Sequence, residues 1–175
     1  MTPNFERIFE RMLAHEGGYV DNPKDPGGAT NLGVTQKVFN EYLAASGTAP
    51  YSVKMITRQQ ARAIFNVKYW MAVKGDKLQH GWDYAVVDFA YNSGPGRAVR
   101  VLQTVLGLTP DGVIGPKTVA AVFHAPKEKL AEYNAKRLEF MKTLPHWPTF
   151  KNGWTARVQE VDGKSQIDWE RGRGA

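Results

Sequence analysis

Cysteine is missing altogether from this 175-residue chain, and with it go disulfide frameworks, thiolate metal clusters and a cysteine nucleophile. Long hydrophobic runs are missing too. No window approaches the roughly 18 consecutive apolar residues that a membrane span requires, so no stable membrane insertion is expected. The first residues, MTPNFERIFERMLAHEGG, are studded with charge and lack the uninterrupted apolar centre of an export signal. That points to synthesis in the cytoplasm. Histidine is scarce: His15, His80, His124 and His146 lie scattered along the chain, outside the H-E-x-x-H spacing that a zinc amidase uses. The G-x-S-x-G nucleophile elbow and the G-x-x-x-x-G-K-[ST] phosphate loop are absent as well. No metal or organic cofactor is implied.

What is present describes an ordinary folded protein, with 42% apolar and 23% charged residues. At about 100–200 residues per domain, the length suits one domain with at most a small appendage. Such a chain can bury a core without staples. Lys and Arg number 23 against 17 Asp and Glu, a formal charge of +6. That balance favours an anionic partner: nucleic acid, an acidic membrane surface or a wall polymer. The basic residues are spread along the chain rather than gathered in one run, which argues against nucleic acid.

Helical periodicity dominates. Phe5, Ile8, Phe9, Met12 and Leu13 form an amphipathic stripe, with Thr2 as cap and Pro3 at the first helical position. Gly17-Gly18 stops this helix, placing Glu16 at its end. Residues 17–34, GGYVDNPKDPGGATNLGV, hold turns or a short hairpin and no long helix. A second helix starts at Thr35. Thr57 and Gln60 fit a capping box, with Ala61, Ile64, Phe65 and Lys68 continuing one face. Further helices run over about 82–92, 99–106, 116–123 and from Pro126 through Met141, and a last face carries Trp154, Arg157, Val158 and Val161. From Asp162 onward the pattern dissolves and reads as a loose tail. The expected fold is therefore mainly α with a small turn-rich or β-hairpin insert near the N-terminus.

Glu16 stands out chemically. A carboxyl at a helix C-terminus faces the negative end of the macrodipole, which disfavours its ionised form, and shielding by aromatic neighbours would hold its proton further. A retained proton is what protonates a glycosidic oxygen. A second group must then activate water or stabilise charge at the anomeric carbon. Asp25, with Thr30 beside it, lies on the turn-rich stretch that can fold back over the same place, and Asp21 competes for that role. Tyr19, Tyr91 and Asn92 combine aromatic faces with an amide, groups suited to pyranose rings and N-acetyl substituents. Each also has a plain structural reading as a core, turn or capping residue.

The spacing Glu16-x8-Asp25-x4-Thr30 resembles the Glu-x8-Asp-x5-Thr triad of phage-type lysozymes, one residue shorter in its second interval. The fuller string EGGYVDNPKDPGGATNLGVT resembles the signature of glycoside hydrolase family 108, phage and bacterial endolysins with N-acetylmuramidase activity. Downstream, VDFAYNSGPGRAVRVLQTVLGLTPDGVIGPKT is similar to the segment labelled a peptidoglycan-binding domain in that family, and FKNGWTARV is similar too. Together these cover about residues 5–161.

The resemblance implies a lysozyme-like helical domain over 1–92, a helical peptidoglycan-binding-like region over 93–161 packed into the same body, and a tail over 162–175. It implies a bacteriolytic enzyme that hydrolyses the β-1,4 bond between N-acetylmuramic acid and N-acetylglucosamine. Glu16 maps onto the catalytic glutamate, with Asp25, Asp21 or Thr30 as second group and Tyr19, Tyr91 and Asn92 on the substrate. The partner is bacterial peptidoglycan. A monomer is expected, let out to the periplasm or cell exterior by a holin or a secretion system. A lytic transglycosylase and a non-catalytic wall-binding module are the alternatives.

Overall fold

The computed structural model describes residues 3–15, 17–21 and 28–174. Thr2, Glu16, Asp21's successors through Gly27, and hence Asp25, lie outside the described residues. Among those described, eight α-helices and one two-stranded antiparallel sheet supply the regular structure, together with short 3-10 and π turns. This is the mainly α architecture, with a hairpin near the N-terminus, that the periodicity predicts. The chain forms two compact units, Met1–Lys68 and Tyr69–Ala175.

In the first unit, α1 (Pro3–His15) buries Phe5, Ile8, Phe9 and Met12, the stripe at i, i+3, i+4 and i+7. These rings meet Phe65 at the end of α3 (Arg58–Phe65), with centroids 5.9 Å from Phe5 and 5.4 Å from Phe9. On the flank, Glu6 pairs with Arg62 and Glu10 with Arg58. Each guanidinium also lies over a ring of α1, 5.1 Å from Phe5 and 5.8 Å from Phe9. Solvent screening keeps exposed pairs of this kind weak, so the aromatic packing holds α1 to α3.

A second cluster in this unit joins Val34, Phe39, Leu43, Val53, Ile56, Ala61 and Ile64. It gathers the hairpin, α2 (Gln36–Ala45), the 3-10 turn Val53–Met55 and α3. Thr35 caps α2, its hydroxyl accepting from the Val38 amide at 3.3 Å. The capping box forms as well: the Gln60 amide donates to Thr57 Oγ1 at 3.2 Å, and the Thr57 amide to Gln60 Oε1 at 2.9 Å. Lys68 does not continue the α-helical face. The chain widens into a π turn over Asn66–Trp70.

The second unit is built around α4 (Trp82–Ser93), in which every residue from Trp82 to Ala90 is buried. Helices α5 (Pro95–Val105), α7 (Lys127–Lys142) and α8 (Trp147–Arg173) pack against it, and α6 (Pro116–His124) closes the set. The Ser93–Gly96 segment is a corner between α4 and α5 within this unit, turned at Gly94 with φ +88.

The loose tail expected from Asp162 is overturned: α8 runs unbroken to Arg173. Its buried stripe is Val158, Val161, Ser165 and Asp168, helical in spacing but polar in its last two members, so the apolar pattern fades while the helix does not. Gly163 and Gly172 weaken local helix propensity, and tertiary packing overrides them. Gly81, at φ +87, lets the Ser165 carbonyl approach so closely that a Cβ there would collide with it. Among the described residues, no helix is long and apolar enough to cross a membrane.

Candidate active site

Residues 17–21, which follow α1, lie outside any helix and are exposed. Val20 then forms an antiparallel bridge with Thr30: its amide donates to the Thr30 carbonyl at 2.9 Å, and the Thr30 amide returns the bond at 2.8 Å. Thr30 in turn pairs with Thr35 across β1 (Thr30–Asn31) and β2 (Val34–Thr35). The stretch after α1 thus runs alongside the hairpin, and Tyr19, Asp21 and Thr30 belong to one small β-structured platform.

The platform is firmly held. Its two-residue turn places Leu32 at φ +48 and Gly33 at φ +70, the double left-handed conformation of a tight hairpin. Leucine is an uncommon choice there. Leu32 packs on the Phe39 and Leu43 cluster, which offsets the conformational cost. Asn31 Nδ2 donates to the carbonyls of Val53 at 3.3 Å and Lys54 at 2.9 Å. Gln36 ties the same turn, accepting from the Val53 amide at 2.7 Å and donating to the Tyr51 carbonyl at 2.9 Å.

The Thr30 hydroxyl donates to the Gly28 carbonyl at 3.3 Å. With its proton so committed, the oxygen lone pairs remain as acceptors. Tyr19 donates from its hydroxyl to Asp21 Oδ2 at 3.2 Å, and Lys54 Nζ lies 5.4 Å from its ring. Partial burial and the neighbouring Asp21 carboxylate push the Tyr19 phenol above its ordinary value, so it remains a donor across the neutral range. Glu16 and Asp25 lie outside the described residues.

In the second unit, Tyr91 and Asn92 stand on the last turn of α4. The Tyr91 ring meets Tyr69 edge-on with centroids 4.9 Å apart, and the Arg157 guanidinium lies 5.8 Å from it. Asn92 is exposed, but its amide nitrogen donates to the Asp88 carbonyl at 2.7 Å and to Asp88 Oδ2 at 3.1 Å. Only its side-chain carbonyl is left over for a ligand.

Asp88, which the periodicity did not single out, organises this end of the helix. Fully buried, it accepts from Arg137 Nη2 at 2.6 Å and from Arg157 Nη2 at 3.0 Å. Burial alone would raise its pKa, but the two guanidiniums outweigh that and hold the carboxyl below the usual range. Arg137 is itself fully buried, with Nε and Nη1 lacking hydrogen-bond partners among the described residues and its guanidinium 5.4 Å from the Phe89 ring. Its burial is viable only while Asp88 is charged. A signal for this cluster exists in the sequence: Asp83 and Asp88 interrupt the otherwise apolar WDYAVVDFA, and buried carboxylates are almost always paired.

Among the described residues, no three His, Asp or Glu side chains gather at metal-binding range.

Comparison with known proteins places these elements in context. The family model for glycosyl hydrolase 108 matches residues 9–94, and a model described as a predicted peptidoglycan domain matches residues 97–159. Among solved structures, SagA of Brucella abortus is 42% identical over 95% of each chain, with a TM-score of 0.84. No curated protein matches the chain.

Proposed function

Because the chain belongs to glycosyl hydrolase family 108, and so is a peptidoglycan-degrading glycoside hydrolase, we propose that it is an N-acetylmuramidase. It cleaves the β-1,4 bond between N-acetylmuramic acid and N-acetylglucosamine. Glu16 donates the proton to the leaving oxygen. Asp25 or Asp21, with Thr30, positions water or stabilises the oxocarbenium-like transition state. The observation that carries this reading is the EGGY…DPGGAT block, inside the matched family segment and immediately after α1, with Val20 bridged to Thr30. A Thr30 oxygen whose own proton is spent on Gly28 is suited to accept from a water molecule. Tyr19, Tyr91 and Asn92 contact the glycan, Asn92 through its remaining carbonyl.

Turbidity loss on purified peptidoglycan tests the reading. Glu16→Gln is expected to lower clearing by about 100- to 10,000-fold, the usual contribution of a positioned acid, with an unchanged melting temperature. Equal clearing by variant and wild type would remove Glu16 from the mechanism. Mass spectrometry of the digest distinguishes the chemistry, since reducing-end muramic acid means hydrolysis and a 1,6-anhydro end means a transglycosylase. In the same reading the protein is a monomer made in the cytoplasm that reaches the wall through a holin or a secretion system.

A further inference from the structure

Helix α6 carries more apolar surface than its packing uses. Thr118 and Val122 are its buried residues, while Pro116, Val119, Ala120 and Phe123 form a second stripe at i, i+3, i+4 and i+7 that lines an open groove of about 580 Å³. Phe123 is 62% exposed, and it counts here because it continues a stripe with Pro116, Val119 and Ala120 rather than standing alone. Lys74 and Lys77 line the same groove and give it a cationic rim. A second recess of about 400 Å³ continues from the first through the shared residues Phe123 and His124, and adds Gln79 and Arg173. Among the described residues lining both recesses, none is acidic.

The lysine rim is built rather than incidental. Lys74 sits in the left-handed region at φ +47, immediately before the 3-10 turn Gly75–Lys77, a conformation that costs a lysine free energy. The turn rests on buried Trp70, and a Cβ at Gly75 would lie 2.5 Å from the indole. Both ammonium groups are therefore presented from a turn locked from below. In the second recess Arg173 Nη2 donates to the Phe123 carbonyl at 3.2 Å, and its guanidinium lies 4.4 Å from the Trp169 ring centroid.

We propose that this groove grips the peptide stem of peptidoglycan rather than its sugar strand. The proposal rests on the reading of the chain as a wall-degrading enzyme. A glycan strand calls for flat aromatic platforms and many neutral hydrogen-bonding groups. This groove offers Pro116, Val119 and Ala120 as a floor and a cationic rim. Its two rings, Phe123 and His124, meet edge-on at 89° rather than as one flat platform, and Gln79 is the one side-chain amide among the described lining residues. A short peptide rich in alanine methyls and free carboxylates matches both: methyls on Val119, Ala120 and Pro116, carboxylates on Lys74, Lys77 and Arg173. The start of α6, which has no side-chain cap, adds partial positive charge at the same end.

The test is calorimetric titration of the full chain, in the Glu16→Gln background, with the soluble wall tetrapeptide as probe. Saturable binding is expected. It should weaken about tenfold in Lys74→Asn/Lys77→Glu and by a similar factor in Phe123→Ser, with melting temperatures held; asparagine tolerates the left-handed backbone at position 74. In the catalytically intact chain, the preference for peptide-bearing wall over amidase-stripped glycan should fall toward unity in the double variant. Absence of saturable tetrapeptide binding, equal binding by variants and parent, or displacement of the tetrapeptide by stripped glycan overturns the proposal. Tetrapeptide binding without any glycan cleavage by the intact chain would overturn the enzymatic reading and leave the groove standing.

Discussion

Asp88 receives two guanidiniums that come from 49 and 69 residues away in the chain, and at the scale of single residues it is where the protein is most vulnerable. Replacing it with Asn leaves Arg137 buried without a counter-charge, and the expected loss is about 3–5 kcal/mol of stability, read from the urea midpoint. Its carboxyl ionises more readily folded than unfolded. Its contribution is therefore complete above the ordinary carboxylate value near 4 and is lost as pH falls below it. Urea midpoints of the wild type should stay level from neutral pH down to about 5 and decline below about 4, with a shallower decline in Asp88→Asn. Legibility at this scale is uneven. Glu16 stands out because several residue types coincide around it at fixed spacing. Asp88 was visible as a carboxylate in an apolar helix, but no local pattern names Arg137 and Arg157 as its partners, because ion pairing depends on which helices meet.

Among elements, the capped and punctuated ones were readable in advance. The Thr57–Gln60 box, the Thr35 cap and the Gly94 corner act within a few residues of themselves, so local sequence contains the whole cause. Helix α8 is the counter-example. Its second half is helical because Val161, Ser165 and Asp168 are buried and Gly81 admits its backbone, and none of that is local. Two variants check this account by thermal denaturation. Gly81→Ala combines a positive φ with a collision at the Ser165 carbonyl, so it is expected to cost more than the roughly 1 kcal/mol of an ordinary backbone mismatch. Truncation after Val161 should lower the melting temperature sharply or abolish soluble expression. An unchanged melting temperature in the truncated chain would restore the loose tail. The π turn over Asn66–Trp70 was likewise invisible to a 3.6-residue period.

For the molecule as a whole, the +6 charge predicts attraction to an anionic envelope that salt weakens, because the screening length falls from about 10 Å at 0.1 M to 3 Å at 1 M. Wall pull-down at rising sodium chloride should show monotonic loss of binding, and a salt-independent result would assign the attraction to apolar contacts instead. The sequence by itself determined the helical class, the capped starts at Thr35 and Thr57, the Gly94 corner, the hairpin insert and the Glu16 block, because capping, turn chemistry and apolar periodicity act over spans of a few residues. Tertiary structure alone decided that α8 reaches Arg173, that Asp88 is clamped by two arginines, that Thr30 is bridged to Val20, and that one face of α6 lies open beside two lysines. These depend on burial and on charges brought together from distant positions, and such energies exist only once the chain has packed.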